Sequence, residues 1–289
     1  MVRVAMSFAP VNPSDLIPIT GAYAHRIRLP MVAGYEGVGR VLHAPDACAG
    51  LLGQRVLPLR GAGTWQSVVD VTLNLVVPVP DVISDLVAAR AYINPLTAQI
   101  MLDRWPVRGK RVLLTGAGSM CAELLGVWAY QRGAAAVLGV YRSVSRAERL
   151  QARGIEPVAL DDLPAVTRAA SQADLTFDAL GGPAGSAVLE AMRDGTDFIG
   201  YGLLSGQALR LSGQPRALYH RFHLRDTLAT LTAVEWHRQF TQMWPALGST
   251  GLPAVQVFAL KDWKKALGSM ERPGSAKAVL SFHDAEPRA

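Results

Sequence analysis

The residues best suited to chemistry gather in two stretches. In the first, Gly116, Gly118, Ser119, Met120 and Cys121 follow a short apolar run, Val112 to Thr115, and lead into apolar residues at helical spacing, Leu124, Val127 and Trp128. Strand, tight turn and helix in that order bring backbone N–H groups and the positive end of a helix to a pyrophosphate. Cysteine stands where a G-x-G-x-x-G motif has its third glycine, and an ordinary strand-to-helix turn carries the same residue types. The second stretch separates these alternatives. Ala135 to Tyr141 reads as the next strand and ends in Arg142, Ser143 and Arg146. An acidic residue at that strand end binds the ribose 2′-hydroxyl of NAD, whereas arginine and serine suit a 2′-phosphate. A charge-assisted arginine–phosphate contact contributes about 1.5–3 kcal/mol, enough to set a cofactor preference. The expected cofactor is therefore NADPH.

These residues need a sheet to hold them. From Arg111 the pattern alternates: strand 111–115, helix to 132, strand 135–141, helix 145–153, strand 155–158, helix 161–170, strand 174–179, helix 183–193 and strand 196–201. Such alternation with right-handed crossovers makes a doubly wound parallel sheet. Gly181, Tyr201 and Gly202 fall at strand ends on the edge where these sheets bind ligands, and join the candidate cofactor residues; turn chemistry alone also accounts for the glycines. The first ninety residues are glycine-rich and mostly β, with two strands flanking a turn-rich segment, a strand near 53–57, and the turn Gly61 to Trp65 feeding another. Pro95 is placed to open a helix. The expected division is 1–93, 94–235, and a return over 236–289 with helix 236–247, strand 253–260, helix 262–270 and strand 277–282. The locally basic segment 215–225 reads as a solvated face, with a contact to carrier phosphates as the alternative.

Composition bounds the function. With 289 residues, half of them apolar, the chain can bury one large or two ordinary cores. Glu123 and Arg132 interrupt the most apolar helix, no run reaches the ~18 residues of a membrane span, and the opening lacks a signal-peptide pattern, so no membrane partner is expected and the cytoplasm is the expected location. Two cysteines, Cys48 and Cys121, exclude a disulfide framework and a four-cysteine zinc site. The net charge of +6 is dispersed, with no aromatic-interleaved basic run, so an anionic cofactor or substrate explains it better than a nucleic acid. A generally basic surface is the plainer alternative.

An ordered set of motifs then carries a resemblance. Asn12-Pro-Ser-Asp15, Gly21-Ala-Tyr23, Gly34-Tyr-Glu-Gly-Val-Gly39, Gly63-Thr-Trp65 and Asn94-Pro-Leu-Thr-Ala98 followed by Met101-Leu102 run in order from residue 12 to residue 102. The sequence resembles the medium-chain dehydrogenase/reductase superfamily, in its zinc-free quinone oxidoreductase and mitochondrial-type 2-enoyl thioester reductase branch. The fold this implies is α/β: a Rossmann doubly wound parallel-sheet domain plus a mostly β GroES-like catalytic domain. Zinc alcohol dehydrogenases of that superfamily carry histidine where this sequence has Tyr35, before Glu36, so metal-free chemistry is expected.

The resemblance implies hydride transfer from NADPH to the β-carbon of an activated double bond and protonation at the α-carbon. Tyr23 matches the tyrosine that donates a hydrogen bond or proton to the developing enolate, and each preorganised donor there contributes about 3–4 kcal/mol. Asn12 and Thr97 match positions that contact nicotinamide or substrate, Trp65 a pocket residue, and Lys277 a lysine that approaches the cofactor phosphate. A homodimer is likewise implied. Three departures stand out: the family has several tens of residues ahead of the strand that begins at Val2, so an amino-terminal hairpin is expected to be missing; Ser119-Met-Cys-Ala122 replaces a glycine-rich phosphate loop and is expected to crowd the pyrophosphate; and Asp226-Thr-Leu228 replaces Gly-Phe-Trp. The leading expectation is an NADPH-dependent reductase of 2-enoyl thioesters, coenzyme A- or carrier-bound. Its rivals are an NADPH:quinone or α,β-unsaturated carbonyl reductase and a nucleotide-binding protein with little catalysis.

Overall fold

A computed structural model describes residues 1–16, 30–270 and 275–283. β1 (Val2–Pro10) buries Val2, Val4 and Met6 and exposes Arg3, the two-residue period of a half-buried strand. The chain continues through α1 (Pro13–Leu16), β2 (Val38–His43), β3 (Arg55–Pro58), β4 (Val68–Val71), β5 (Val76–Pro78), α2 (Asp85–Ala88) and α3 (Ile93–Arg104). Alternation follows, as the spacing requires: β6 (Arg111–Leu114), α4 (Met120–Gln131), β7 (Ala136–Tyr141), α5 (Ala147–Gln151), β8 (Glu156–Ala159), α6 (Leu163–Gln172), β9 (Leu175–Asp178), α7 (Gly182–Ala191), β10 (Asp197–Gly200), β11 (Leu218–Arg221) and α8 (Leu224–Leu228). The last stretch holds α9 (Ala233–Thr250), β12 (Val255–Ala259), α10 (Trp263–Met270) and β13 (Lys277–Ser281).

Two compact units result, Met1–Leu96 with Leu231–Ala289, and Thr97–Thr230. The first division falls within α3 rather than ahead of Asn94, because the helix already begins at Ile93 and Pro95 sits in its first turn. The second precedes α9, which starts earlier than residue 236: Thr232 and Glu235 form a reciprocal capping box that fixes the helix start.

The first unit is a seven-stranded sheet in the order β12-β13-β1-β2-β3-β5, with β4 also paired to β1. Its core collects Val2, Val4, Val41, Val56, Val69, Val71 and Leu280 from facing strands. The β1–β13 register pairs Phe8 with Ser281 and Pro10 with Val279. Val11 N–H extends that antiparallel register by donating to Ala278 O at 3.0 Å. One further step brings Asn12 to Lys277.

The second unit is a six-stranded, wholly parallel sheet in the order β11-β10-β9-β6-β7-β8. Counted from β6, this is the 3-2-1-4-5-6 winding whose direction reverses between β6 and β9, and the crevice beyond those strand ends is where such sheets take ligands. Two expectations needed correction. The stretch 145–153 is a short 3₁₀ turn over Val144–Arg146 followed by α5, not one helix, and Leu218–Arg221, read as a solvated face, is the sixth strand.

Candidate functional site

At the reversal point of the second unit, β6 delivers Thr115 and Gly116, and β9 delivers Asp178. The Thr115 hydroxyl donates to Asp178 Oδ1 and accepts from Ala179 N–H at 3.0 Å. Asp178 also accepts from Leu180 N–H at 3.2 Å and Gly181 N–H at 2.9 Å. Burial pushes the Asp178 carboxyl up from its ordinary range, against these hydrogen bonds. The carboxylate thus folds the end of β9 into a fixed turn. Gly181 sits there at φ 62°, ψ −156°, a region essentially closed to other residues, and a Cβ on it would lie 2.6 Å from Gln207 O. Tyr201 and Gly202 reach the same turn from β10, their N–H groups donating to Asp178 O at 2.9 and 3.2 Å.

The turn after β6 leads to α4. Ser119 caps the helix, its hydroxyl accepting from Ala122 N–H at 3.3 Å while its carbonyl takes Glu123 N–H. Among the described residues no acceptor takes the N–H of Gly118 or of Met120, so two backbone donors at the positive end of a twelve-residue helix remain for an anion. A Cβ on Gly118 would lie 3.1 Å from Arg146 Cγ, so the stem of Arg146 lies across this glycine. Arg142 is exposed at the end of β7, and among the described residues no carboxylate pairs with either guanidinium. Arg149 and Arg153, by contrast, are both committed to the buried Glu123, at 2.8 and 2.9 Å. The Ser143 hydroxyl lies 3.0 Å from that of Ser145. These groups fit the pyrophosphate and 2′-phosphate of NADPH.

Cys121 does not crowd this turn as expected. Its side chain is buried beside the hydroxyl of Tyr201, with Ser119 also against that hydroxyl, and no well-formed hydrogen bond satisfies the tyrosine oxygen. Burial pushes the Cys121 thiol up to about 12, and raises Tyr201 well above the ordinary phenol. The third-glycine position is thus filled inward.

The first unit holds a separate buried polar network. Asn12 N–H donates to Asp15 Oδ2 at 2.7 Å, and Tyr35 N–H donates to Asp15 Oδ1 at 3.0 Å. The Asn12 carboxamide accepts from Lys277 Nζ at 2.5 Å and donates through Nδ2 to Glu36 Oε1 at 2.7 Å. Glu36 Oε2 accepts from Tyr92 N–H at 3.0 Å and Ile93 N–H at 2.8 Å, capping the start of α3. Asn12, Asp15 and Glu36 are all buried. Burial, opposed by the Asn12 N–H bond, pushes the Asp15 carboxyl up to about 7; burial also raises Glu36 and lowers Lys277, and it lowers Arg90 to about 10. The Arg90 guanidinium, which feels the Glu36 charge, is anchored on Pro253 O at 2.7 Å.

Asn12 and Lys277 therefore come together, and Lys277 presents its ammonium to the carboxamide. Trp65 belongs to the same unit: its ring lies against Gly34 and the sheet core, and its indole N–H donates to Pro10 O at 3.4 Å, two residues before Asn12. Thr97 is buried on α3. Tyr23 lies outside the described residues. Arg90 was not singled out from sequence, and Asp15 and Glu36 entered only as members of the resemblance motifs, with no role assigned; their one further signal is an ionisable residue set within an otherwise apolar or glycine-rich run. Among the described residues no three His, Cys, Asp or Glu side chains converge as a metal site requires, and no helix is long and apolar enough to cross a membrane.

Residues 1–81 match the alcohol dehydrogenase GroES-like domain. The mitochondrial enoyl-[acyl-carrier-protein] reductase of Arabidopsis thaliana is 31% identical over 224 residues, covering 73% of this chain and 60% of that protein. The human enzyme of the same name is 27% identical over 97% of this chain and 81% of its own. The chain thus spans less than two thirds of the plant relative. A solved structure from Bacillus thuringiensis, provisionally named an NADPH:quinone reductase, is 32% identical with a TM-score of 0.89, over 97% of this chain and 89% of that one. With these likenesses beside the 3-2-1-4-5-6 sheet, the chain belongs to the medium-chain dehydrogenase/reductase superfamily, in the branch of the quinone reductases and mitochondrial-type enoyl thioester reductases.

Proposed function

We propose that the protein reduces an activated carbon–carbon double bond with NADPH, and that 2-enoyl thioesters are its substrates. The observation that carries this is the pair Arg142 and Arg146, with no carboxylate partner among the described residues, and Arg146 across Gly118 beside the N–H groups of Gly118 and Met120, which no acceptor among the described residues takes. The site would hold NADPH, whose chemistry there would be supply of a hydride for the β-carbon. Gly116 to Cys121 and the start of α4 hold the pyrophosphate, Arg142, Ser143 and Arg146 hold the 2′-phosphate, and Gly181, Tyr201 and Gly202 shape the crevice. Tyr23 donates to the carbonyl oxygen as negative charge develops on it, and Asn12, Thr97 and Trp65 orient substrate or nicotinamide. A homodimer, the assembly that the family resemblance implies, belongs to the same proposal and is read by light scattering.

Identity to the Bacillus thuringiensis protein favours a second reading, an NADPH:quinone or α,β-unsaturated carbonyl reductase using the same hydride step. Deuterium labelling tests the shared chemistry. NADPH deuterated at the transferable position should leave deuterium on the β-carbon of a saturated thioester; an unlabelled product overturns the proposed hydride route. A higher kcat/KM on a small enone or quinone than on the enoyl thioester selects the second reading.

A further inference from the structure

We propose that Lys277 and Glu36 are positioning residues that clamp the Asn12 carboxamide between them, and that Lys277 serves this amide rather than a cofactor phosphate. The turnover arm of the test rests on the reductase reading; the binding and exchange arms do not.

The clamp follows from which groups can donate. An ammonium carries donors only, so the Asn12 atom 2.5 Å from Lys277 Nζ is its oxygen. The other end of the amide, Nδ2, then faces Glu36 Oε1 at 2.7 Å. Both oxygens of Glu36 meet donors: Asn12 Nδ2 on one, Tyr92 N–H and Ile93 N–H on the other. Flipping the amide would set Nδ2 against the ammonium and Oδ1 against the carboxylate, so one orientation alone is tolerated. The Asn12 main chain is held as well, its backbone N–H tied to Asp15 Oδ2 at 2.7 Å. The scaffold behind each partner is rigid. The β1–β13 register brings Lys277 opposite Asn12, and the start of α3 holds Glu36. Among the described residues no partner takes the second Nδ2 hydrogen or the second Oδ1 lone pair of Asn12, and these are what a nicotinamide amide or a substrate carbonyl would meet. Lys277, by contrast, spends its charge inward, on a carboxamide flanked by Asp15 and Glu36.

The two roles for Lys277 give opposite results. In Lys277→Met, a positioning lysine leaves the NADPH dissociation constant within about twofold of wild type while kcat falls about tenfold. A phosphate contact would weaken NADPH binding and spare kcat. Lys277→Arg, which keeps a donor for Asn12 Oδ1, should recover most of the lost kcat. The double variant Asn12→Ala, Lys277→Met should lose no more than Asn12→Ala alone, because the lysine acts through the asparagine. A weakened NADPH affinity at unchanged kcat, no recovery with arginine, or losses that multiply in the double variant each overturn the clamp. Should Lys277→Met fail to fold, the wild-type protein decides: the Asn12 side-chain amide hydrogen bonded to Glu36 should exchange slowly with solvent by NMR, and fast exchange of both hydrogens overturns the clamp. If the wild type reduces nothing, the reductase reading fails while NADPH binding and amide exchange still judge the clamp.

Discussion

Replacing Glu36 with glutamine probes the buried network where it is most exposed to loss. The carboxyl is 1% exposed, and its three contacts at 2.7, 3.0 and 2.8 Å all come from donors. With no acceptor among the described residues opposite either oxygen, the group fits as the anion although burial pushes its pKa up. Glutamine keeps the shape but turns an NH₂ toward a donor and removes the negative charge facing Lys277 and Arg90. Breaking one side of a buried, hydrogen-bonded charge group costs about 3–5 kcal/mol, a large share of the about 5–15 kcal/mol that holds a typical domain together. The assay is urea denaturation followed by tryptophan fluorescence, since Trp65, Trp236, Trp244 and Trp263 all lie in this unit. The midpoint should fall at unchanged slope. Asp70→Asn is the control: it breaks the Arg3–Asp70 pair, whose side chains are 57% and 45% exposed, and should not shift the midpoint measurably. A Glu36→Gln midpoint equal to that of the control would mean that the Glu36 carboxylate contributes nothing to the stability of this unit.

Other outcomes follow from the same geometry. Arg146→Ala should weaken NADPH binding at least about tenfold and leave NADH nearly unchanged, as removal of one charge-assisted contact requires; equal weakening of both contradicts the placing of the 2′-phosphate. Asp15, raised from 3.8 to about 7, favours the neutral carboxyl in the fold, so its contribution to stability is complete below 3.8 and is lost as pH rises through about 7. Asp15→Asn should therefore flatten the fall in melting temperature across that window, and an unchanged pH profile counts against it. Tyr23→Phe should keep NADPH affinity and lose at least about tenfold in turnover, with unchanged turnover removing Tyr23 from the mechanism.

The winding of the second unit was legible because β6, β7, β9 and β10 lie inside the sheet and read as short, largely buried apolar runs between helical stretches. β11 was not. Its sequence, Leu-Tyr-His-Arg, lies at the sheet edge with Leu218 59% exposed, so no apolar pattern marks it. The phosphate turn was likewise legible in type, since Gly118 must clear the stem of Arg146. The direction of Cys121 was not, because whether a side chain at that position points inward depends on the space beside Tyr201 on a distant strand end. The network around Asn12 depends on partners 24 and 265 residues away. Local spacing could single out Asn12 and Lys277 through resemblance, but only the β1–β13 register brings them together, and only tertiary contact makes Glu36 a cap for α3.

The most direct measurement is NADPH consumption by the wild-type protein with a 2-enoyl coenzyme A, a small enone and a quinone, followed by the loss of reduced-nicotinamide absorbance and run beside a fluorescence titration of NADPH. NADPH should bind and be turned over, with the thioester giving the highest kcat/KM. NADPH bound firmly with all three substrates untouched would contradict the reductase reading and leave a nucleotide-binding protein in its place.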